Sequence, residues 1–298
     1  MSGCLLIDID STIPNLALMK ISTWKKSQGV ECGFNINDPT EIYASIIFEK
    51  NKHLADGLKF LYPNAKIDIG GSGYDLNKQL PDHVNLLTPD YSLYPSIDYD
   101  LGFTTRGCNR NCYFCIVHKK EGSFKIVQHP AEFHDPKHKK IVLMDNNILF
   151  NKDWFFKVTD WIIENNLKVD FNQGLDIRLV DNDVAKRITE LKPIKFWRFA
   201  YDNIEYSNDV INGIRTLINA GLDVRHKTLW YVYLHNDDHF LNALIRCETL
   251  RAYGALPYLM LNQNMKRTQR ITNLKRWVRP WIFFKTDFEN YKRGLKNE

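Results

Sequence analysis

Residues 102–122 read Gly-Phe-Thr-Thr-Arg-Gly-Cys-Asn-Arg-Asn-Cys-Tyr-Phe-Cys-Ile-Val-His-Lys-Lys-Glu-Gly, and three of the chain's six cysteines, Cys108, Cys112 and Cys115, fall within eight positions of it. Thiolates this close repel one another unless a metal neutralises them, and soft sulfur ligands select zinc or an iron–sulfur cluster. Three cysteines can hold three irons of a cubane and leave the fourth iron open to a small molecule; a fourth cysteine would close it. His118 follows Cys115 by three, so the same residues also make a Cys3His set suited to tetrahedral zinc. Spacing leaves both chemistries open, and the scaffold around the loop has to choose.

That scaffold alternates. From residue 100 onward the pattern predicts six strands, at 101–105, 140–145, 169–172, 195–200, 228–234 and 256–261, with helices at 152–165, 182–191, 207–220 and 238–253. Strands separated by helices of this length indicate βα units and a parallel sheet. A zinc knuckle needs no such framework. Upstream, strands at 4–9, 42–48 and 65–69 alternate with helices at 16–29 and 53–61, which predicts an α/β, Rossmann-like layer arrangement. The last of these strands runs into Gly70-Gly71-Ser72-Gly73, a turn that lets a ligand approach backbone closely but is not G-x-G-x-x-G. Residues 81–98, with Pro81, Pro89 and Pro95, have the composition of a linker.

C-x3-C-x2-C with the aromatic Phe114 just before its last cysteine resembles the loop of the radical S-adenosylmethionine (SAM) enzymes. The six strands match that family's partial (βα)6 barrel, and residues 1–97 resemble the cobalamin-binding domain preceding the barrel in one subgroup. The domains expected on this resemblance are 1–97 Rossmann-like, 98–265 the partial barrel, and 266–298 a basic, aromatic C-terminal extension. The resemblance implies that Cys108, Cys112 and Cys115 ligate a [4Fe–4S] cluster. SAM would chelate the open iron, and one electron, from a donor such as flavodoxin or ferredoxin, would cleave it to a 5′-deoxyadenosyl radical. The D-x-H-x-x-G motif of an axial cobalamin histidine is absent, because residues 20–29 read Lys-Ile-Ser-Thr-Trp-Lys-Lys-Ser-Gln-Gly. Cobalamin is therefore disfavoured against a scaffold role.

In parallel α/β sheets and barrels, ligands sit at the carboxyl ends of strands. By position, Asp145-Asn146-Asn147 stands where the family's strand end binds the SAM amino group; a plain turn capping the next helix is the alternative. After the third strand, Gln173 or Asp176 would hold the ribose hydroxyls. Arg178 or Arg198 would fork onto the methionyl carboxylate, with a structural salt bridge as the alternative for either.

Composition bounds the rest. Hydrophobic content of 44% and aromatic content of 13% suit a packed globular chain. No apolar run spans a bilayer, and Met1–Asp10 lacks a basic leader, so a cytoplasmic protein is expected. Cys4, Cys32 and Cys247 are scattered and read as small buried hydrophobes. Residues 266–298 carry ten Lys/Arg against three Asp/Glu, interleaved with Trp277, Trp281, Phe283, Phe284, Phe288 and Tyr291. This suits either a nucleic acid or other anionic substrate or an amphipathic closing segment whose aromatics are buried. His129, His134 and His138 read as a solvated face, and no P-loop or G-x-S-x-G supports a hydrolase.

Overall fold

Asn15 starts the first helix because its carboxamide oxygen accepts the Leu18 amide at 3.2 Å, satisfying a donor that helical bonding leaves orphaned. Capping of this kind recurs along the computed structural model, which describes residues 3–291. Two compact units divide the chain, Met1–Met144 and Asp145–Glu298. The chain is α/β, with parallel sheets and eleven α-helices among the described residues. No helix among them is long and apolar enough to cross a membrane.

The first unit runs β1 Gly3–Asp8, α1 Leu16–Ser27, β2 Glu31–Gly33, β3 Glu41–Ser45, α2 Lys52–Leu61, β4 Lys66–Gly70, α3 Asp82–Asn85, β5 Asp100–Gly102, β6 Thr105–Arg106, α4 Val117–Lys120, β7 Lys125–Ile126 and β8 Lys140–Leu143. Strands β2-β1-β3-β4 form one sheet in that order, every pair parallel. Alternation along β1 divides its side chains between two faces. Cys4 and Leu6 pack with Leu18 and Ile21 of α1 and with Cys32 of β2. On the other face Ile7 joins Ala44, Ile46 and Ile69 against Ala55 and Leu58 of α2. Each fully buried aliphatic side chain contributes about 1.5–3 kcal/mol, so the two helices hold the sheet from opposite sides.

Residues 81–98 are not a linker. Val84 is 1% exposed and sits in the α1 core with Leu80 and Leu93 packed against it. Asp90 accepts hydrogen bonds from Ser22 and Lys26 of α1, both at 2.6 Å. The prolines shape a strap rather than a tether. The strand expected at 101–105 is also broken: β5 pairs in parallel with β8, whereas β6 turns away to pair antiparallel with β7.

The second unit contains α5 Lys152–Glu164, β9 Lys168–Phe171, α6 Asn182–Glu190, β10 Lys192–Pro193, β11 Trp197–Ala200, α7 Ser207–Asn219, α8 Val224–Lys227, β12 Thr228–Leu234, α9 Phe240–Ala252, β13 Pro257–Leu261, α10 Gln269–Trp277 and α11 Pro280–Phe283. The pairs β9–β10, β11–β12 and β12–β13 are all parallel. In α5 the buried Phe155, Val158, Thr159 and Ile162 follow the i, i+3, i+4, i+7 stripe of an amphipathic helix. One face of the β11–β13 sheet is buried and mostly apolar, with Trp197, Phe199, Trp230, Val232, Leu234 and Leu259 at 4% exposure or less. The opposite face carries Arg198, Tyr231, Tyr233, Tyr258 and Met260, with Tyr258 54% exposed. Parallel sheets ordinarily have both faces covered, so this polar, aromatic face is the unusual one.

Candidate functional site

The cysteine loop belongs to the first unit, and its two ends are stapled together. Arg106 pairs with Glu121 at 3.2 Å, the Gly107 amide donates to the same carboxylate at 3.0 Å, and the Cys108 amide donates to the Gly122 carbonyl at 3.2 Å. Gly107 has φ +73°, and a Cβ there would lie 2.2 Å from the Ser123 carbonyl oxygen. Glycine is therefore required where the loop departs from β6.

Within the loop the Cys108 sulfur accepts the Arg110 amide at 3.4 Å and the Cys115 sulfur accepts the Val117 amide at 3.5 Å. The Cys115 amide donates to the Cys112 carbonyl at 3.0 Å. None of the three cysteines is in a disulfide, and all are partly exposed. Amide donors stabilise sulfur that carries negative charge, so the donor chemistry fits a soft metal or an iron–sulfur cluster. Among the described residues no three His, Cys, Asp or Glu side chains converge closely enough to hold a metal ion. The thiols line one loop without forming a ready-made cage. Phe114 stacks edge-on with the exposed Tyr113, their ring centres 5.2 Å apart.

Apart from Phe114, the residues expected to bind the cofactor lie in the second unit, and several of them meet. Asn147 donates to the Asp176 carboxylate at 3.3 Å. Asp176 in turn accepts from Nε and Nη2 of Arg178, at 2.7 and 3.0 Å, and Arg178 lies over the Tyr206 ring. Arg198 pairs with Asp170 of β9. Both arginines are thus oriented by a carboxylate, as the salt-bridge alternative expects. Asp145 and Asn147 are 4% exposed, Asn146 is half-buried and Gln173 is exposed. The α-helix that follows, α5, is capped by Asn151, whose side chain accepts the Trp154 amide at 2.9 Å, and Asn147 precedes the short 3-10 helix 148–150 without a side-chain cap bond.

Further polar groups lie in and beyond the strands β11 and β12, and of these Tyr231 and Asp202 have no role assigned from the sequence. Tyr231 donates its hydroxyl to the Asn172 carbonyl at 3.1 Å, and its ring lies beside Gly174, whose φ is +92°. Asp202, after β11, accepts the Tyr233 amide at 2.9 Å. Burial pushes its carboxyl up to about 6, against the pull of that amide and of Arg246 and Arg178. His235 follows β12, within 3.4 Å of the Tyr233 hydroxyl and the Asn262 carboxamide. For Asp202 and His235 the available signal was position, since each lies just beyond the carboxyl end of a strand.

One expectation elsewhere is corrected, and one of two alternatives is favoured. His134 and His138 are not a solvated face: both present Nδ1 to the fully buried Asp100, at 2.5 and 2.8 Å. The described part of the C-terminal extension behaves as a closing segment. Ile271, Leu274, Trp277 and Phe283 are each 0% exposed, Arg251 donates to the Phe283 carbonyl, and Arg270 pairs with Asp237. Residues 292–298, which include three of the extension's ten cations, lie outside the described residues. No family model matches the chain, and no curated protein shows significant sequence similarity to it.

Proposed function

We propose that the chain is a radical SAM enzyme, with a Rossmann-like N-terminal domain, a partial (βα)6 barrel, and a [4Fe–4S] cluster on Cys108, Cys112 and Cys115. The observation that carries this reading is C-x3-C-x2-C with Phe114, held in a stapled loop that leaves β6 shortly after the parallel strand β5 and precedes a run of βα units. The 2-1-3-4 order of the first sheet, with helices on both faces, supports the Rossmann-like part. When bound, the cluster and SAM supply one-electron cleavage and hydrogen abstraction. The chain's own residues bind and orient. Amides of the loop support the sulfurs, Asp145, Asn146 and Asn147 take the SAM amino group, and Gln173 or Asp176 takes the ribose. Arg178 or Arg198, each aligned by its carboxylate, takes the methionyl carboxylate. The substrate is anionic on this reading, the electron donor is a flavodoxin- or ferredoxin-like protein, and the setting is cytoplasmic.

Anaerobic purification with quantitation of iron, sulfide and zinc, followed by assay of 5′-deoxyadenosine after SAM and dithionite, tests the proposal. About four irons per chain, lost in Cys112→Ala, together with deoxyadenosine, support it. One zinc with no sulfide and no SAM cleavage overturns it. A corrinoid retained through purification would shift the reading to cobalamin-dependent methyl transfer.

One observation favours a second reading. His118 Nδ1 is buried with no hydrogen-bond partner, as a ligand of a Cys3His zinc site in a nucleic-acid-binding protein would be. Loss of metal in His118→Ala supports zinc. An intact brown cluster in that variant supports the enzyme.

A further inference from the structure

The first unit carries positive charge that its carboxylates do not neutralise locally. Lys20 is 4% exposed and donates to the Asn85 carbonyl. Lys120, at the end of α4, donates to the Ser72 hydroxyl at 2.6 Å. Among the described residues neither ammonium has a carboxylate within ion-pair distance. Burial pulls Lys20 down to about 8, and the Arg106 guanidinium adds to the pull. A desolvated cation without a counter-charge is costly to hold, and an anion arriving beside it recovers that cost.

Ser72 lies in the Gly70–Gly73 turn at the carboxyl end of β4. Gly71 has φ +100°, and a Cβ there would lie 2.2 Å from the Ile46 carbonyl oxygen, so the turn requires glycine. The Gly73 amide donates to Ile46, and the amides of Tyr74 and Asp75 donate to Gly71. The Gly71 and Ser72 amides meet no acceptor among the described residues. Successive backbone amides in a glycine turn form an anion-binding concavity, and here a hydroxyl and an ammonium stand beside it.

We propose that the Gly70–Gly73 turn, with the Ser72 hydroxyl and the Lys120 ammonium, binds a phosphate group of a small ligand. Lys120 and Ser72 are the direct donors, and the two amides complete the cradle. Because α4 follows the cysteines directly, an anion here also holds the far end of the cysteine loop against the β4 turn. The site lies within the first unit and does not depend on a metal, so it stands or falls separately from the proposed enzyme activity.

The test is calorimetric titration of the full chain, chelator-treated and at low ionic strength, with inorganic phosphate, pyrophosphate and AMP. Saturable binding of at least one of these with one site per chain is expected. Lys120→Gln should weaken it about ten-fold or more, since a charge-assisted donor is lost. Lys120→Arg should restore part of the affinity, and Lys186→Gln, at an exposed position of α6, should change nothing. Far-UV circular dichroism confirms that each variant is folded. Phosphate binding as tightly as AMP identifies a free-oxyanion site; AMP or pyrophosphate binding tighter identifies the phosphate of a larger ligand. No saturable binding at millimolar concentrations, or equal affinity in wild type and folded Lys120→Gln, overturns the proposal.

Discussion

Asp176 grips Arg178 from two positions away, accepting Nε and Nη2 on separate carboxylate oxygens at 2.7 and 3.0 Å. The pair is well shielded, with side chains 18% and 8% exposed for Arg178 and Asp176. It therefore counts for more than a surface ion pair. Arg178→Ala strands a mostly buried carboxylate and is expected to lower unfolding free energy by about 1–3 kcal/mol. Arg178→Lys keeps the charge, loses the fork, and should fall between. Urea denaturation of the three proteins decides this, and indistinguishable midpoints would show that the pair contributes nothing.

Asp202 makes stability depend on pH in an acid range. Its folded pKa of about 6 lies above the ordinary 3.8, so its contribution is fully present below about pH 4 and is lost as pH rises through 6. Asp202→Asn removes the ionisation. It should be more stable than wild type at pH 7.5, by on the order of 2–3 kcal/mol, with the advantage gone at pH 4. A constant difference at both pH values would mean that Asp202 is not held near neutrality.

Lys20 acts in the alkaline range. Its pKa is pulled down to about 8 from 10.5. The fold therefore suffers from the charged form below pH 8 and is relieved as pH rises toward 10.5, where the unfolded chain still holds its proton. Lys20→Met should raise stability at pH 7 by about 1–3 kcal/mol and flatten the alkaline rise. Denaturation curves at pH 7 and 10 read both effects; a destabilised Lys20→Met would show that its bond to Asn85 outweighs the burial.

Gly107 anchors the cysteine loop. Gly107→Ala puts a methyl group against the Ser123 carbonyl at a positive φ and should cost about 1–3 kcal/mol. It should also reduce iron retained after anaerobic reconstitution. Gly221→Ala, at φ +92° with open space around its Cβ, controls for backbone strain without the clash. Equal iron and stability in the two variants would show that the close approach at Gly107 is immaterial.

Element order was legible in residue patterns because it depends on local periodicity. β12 was expected at 228–234 and is Thr228–Leu234; α5 was expected at 152–165 and is Lys152–Glu164. The three-residue β2 was missed, being too short to show a period. The strap at 81–98 was misread because proline content reports backbone restriction but not what packs against it, and here Val84 supplies an anchor in the α1 core. His134 and His138 were misread for a related reason. Their lysine-rich neighbours suggest solvent, whereas the residue that claims them, Asp100, lies more than thirty positions upstream.

By itself the sequence determined the α/β alternation, the three clustered thiols and the glycine-rich turn after β4, since each depends on neighbours in the chain. Tertiary structure alone decided which charges are answered. Asp176 and Asp170 claim the two candidate SAM arginines, whereas the buried Lys20 and the half-buried Lys120 bond to a carbonyl and a hydroxyl instead of a carboxylate. Coulomb attraction and desolvation depend on distances through space and on exclusion of water, and neither is fixed until the elements have packed.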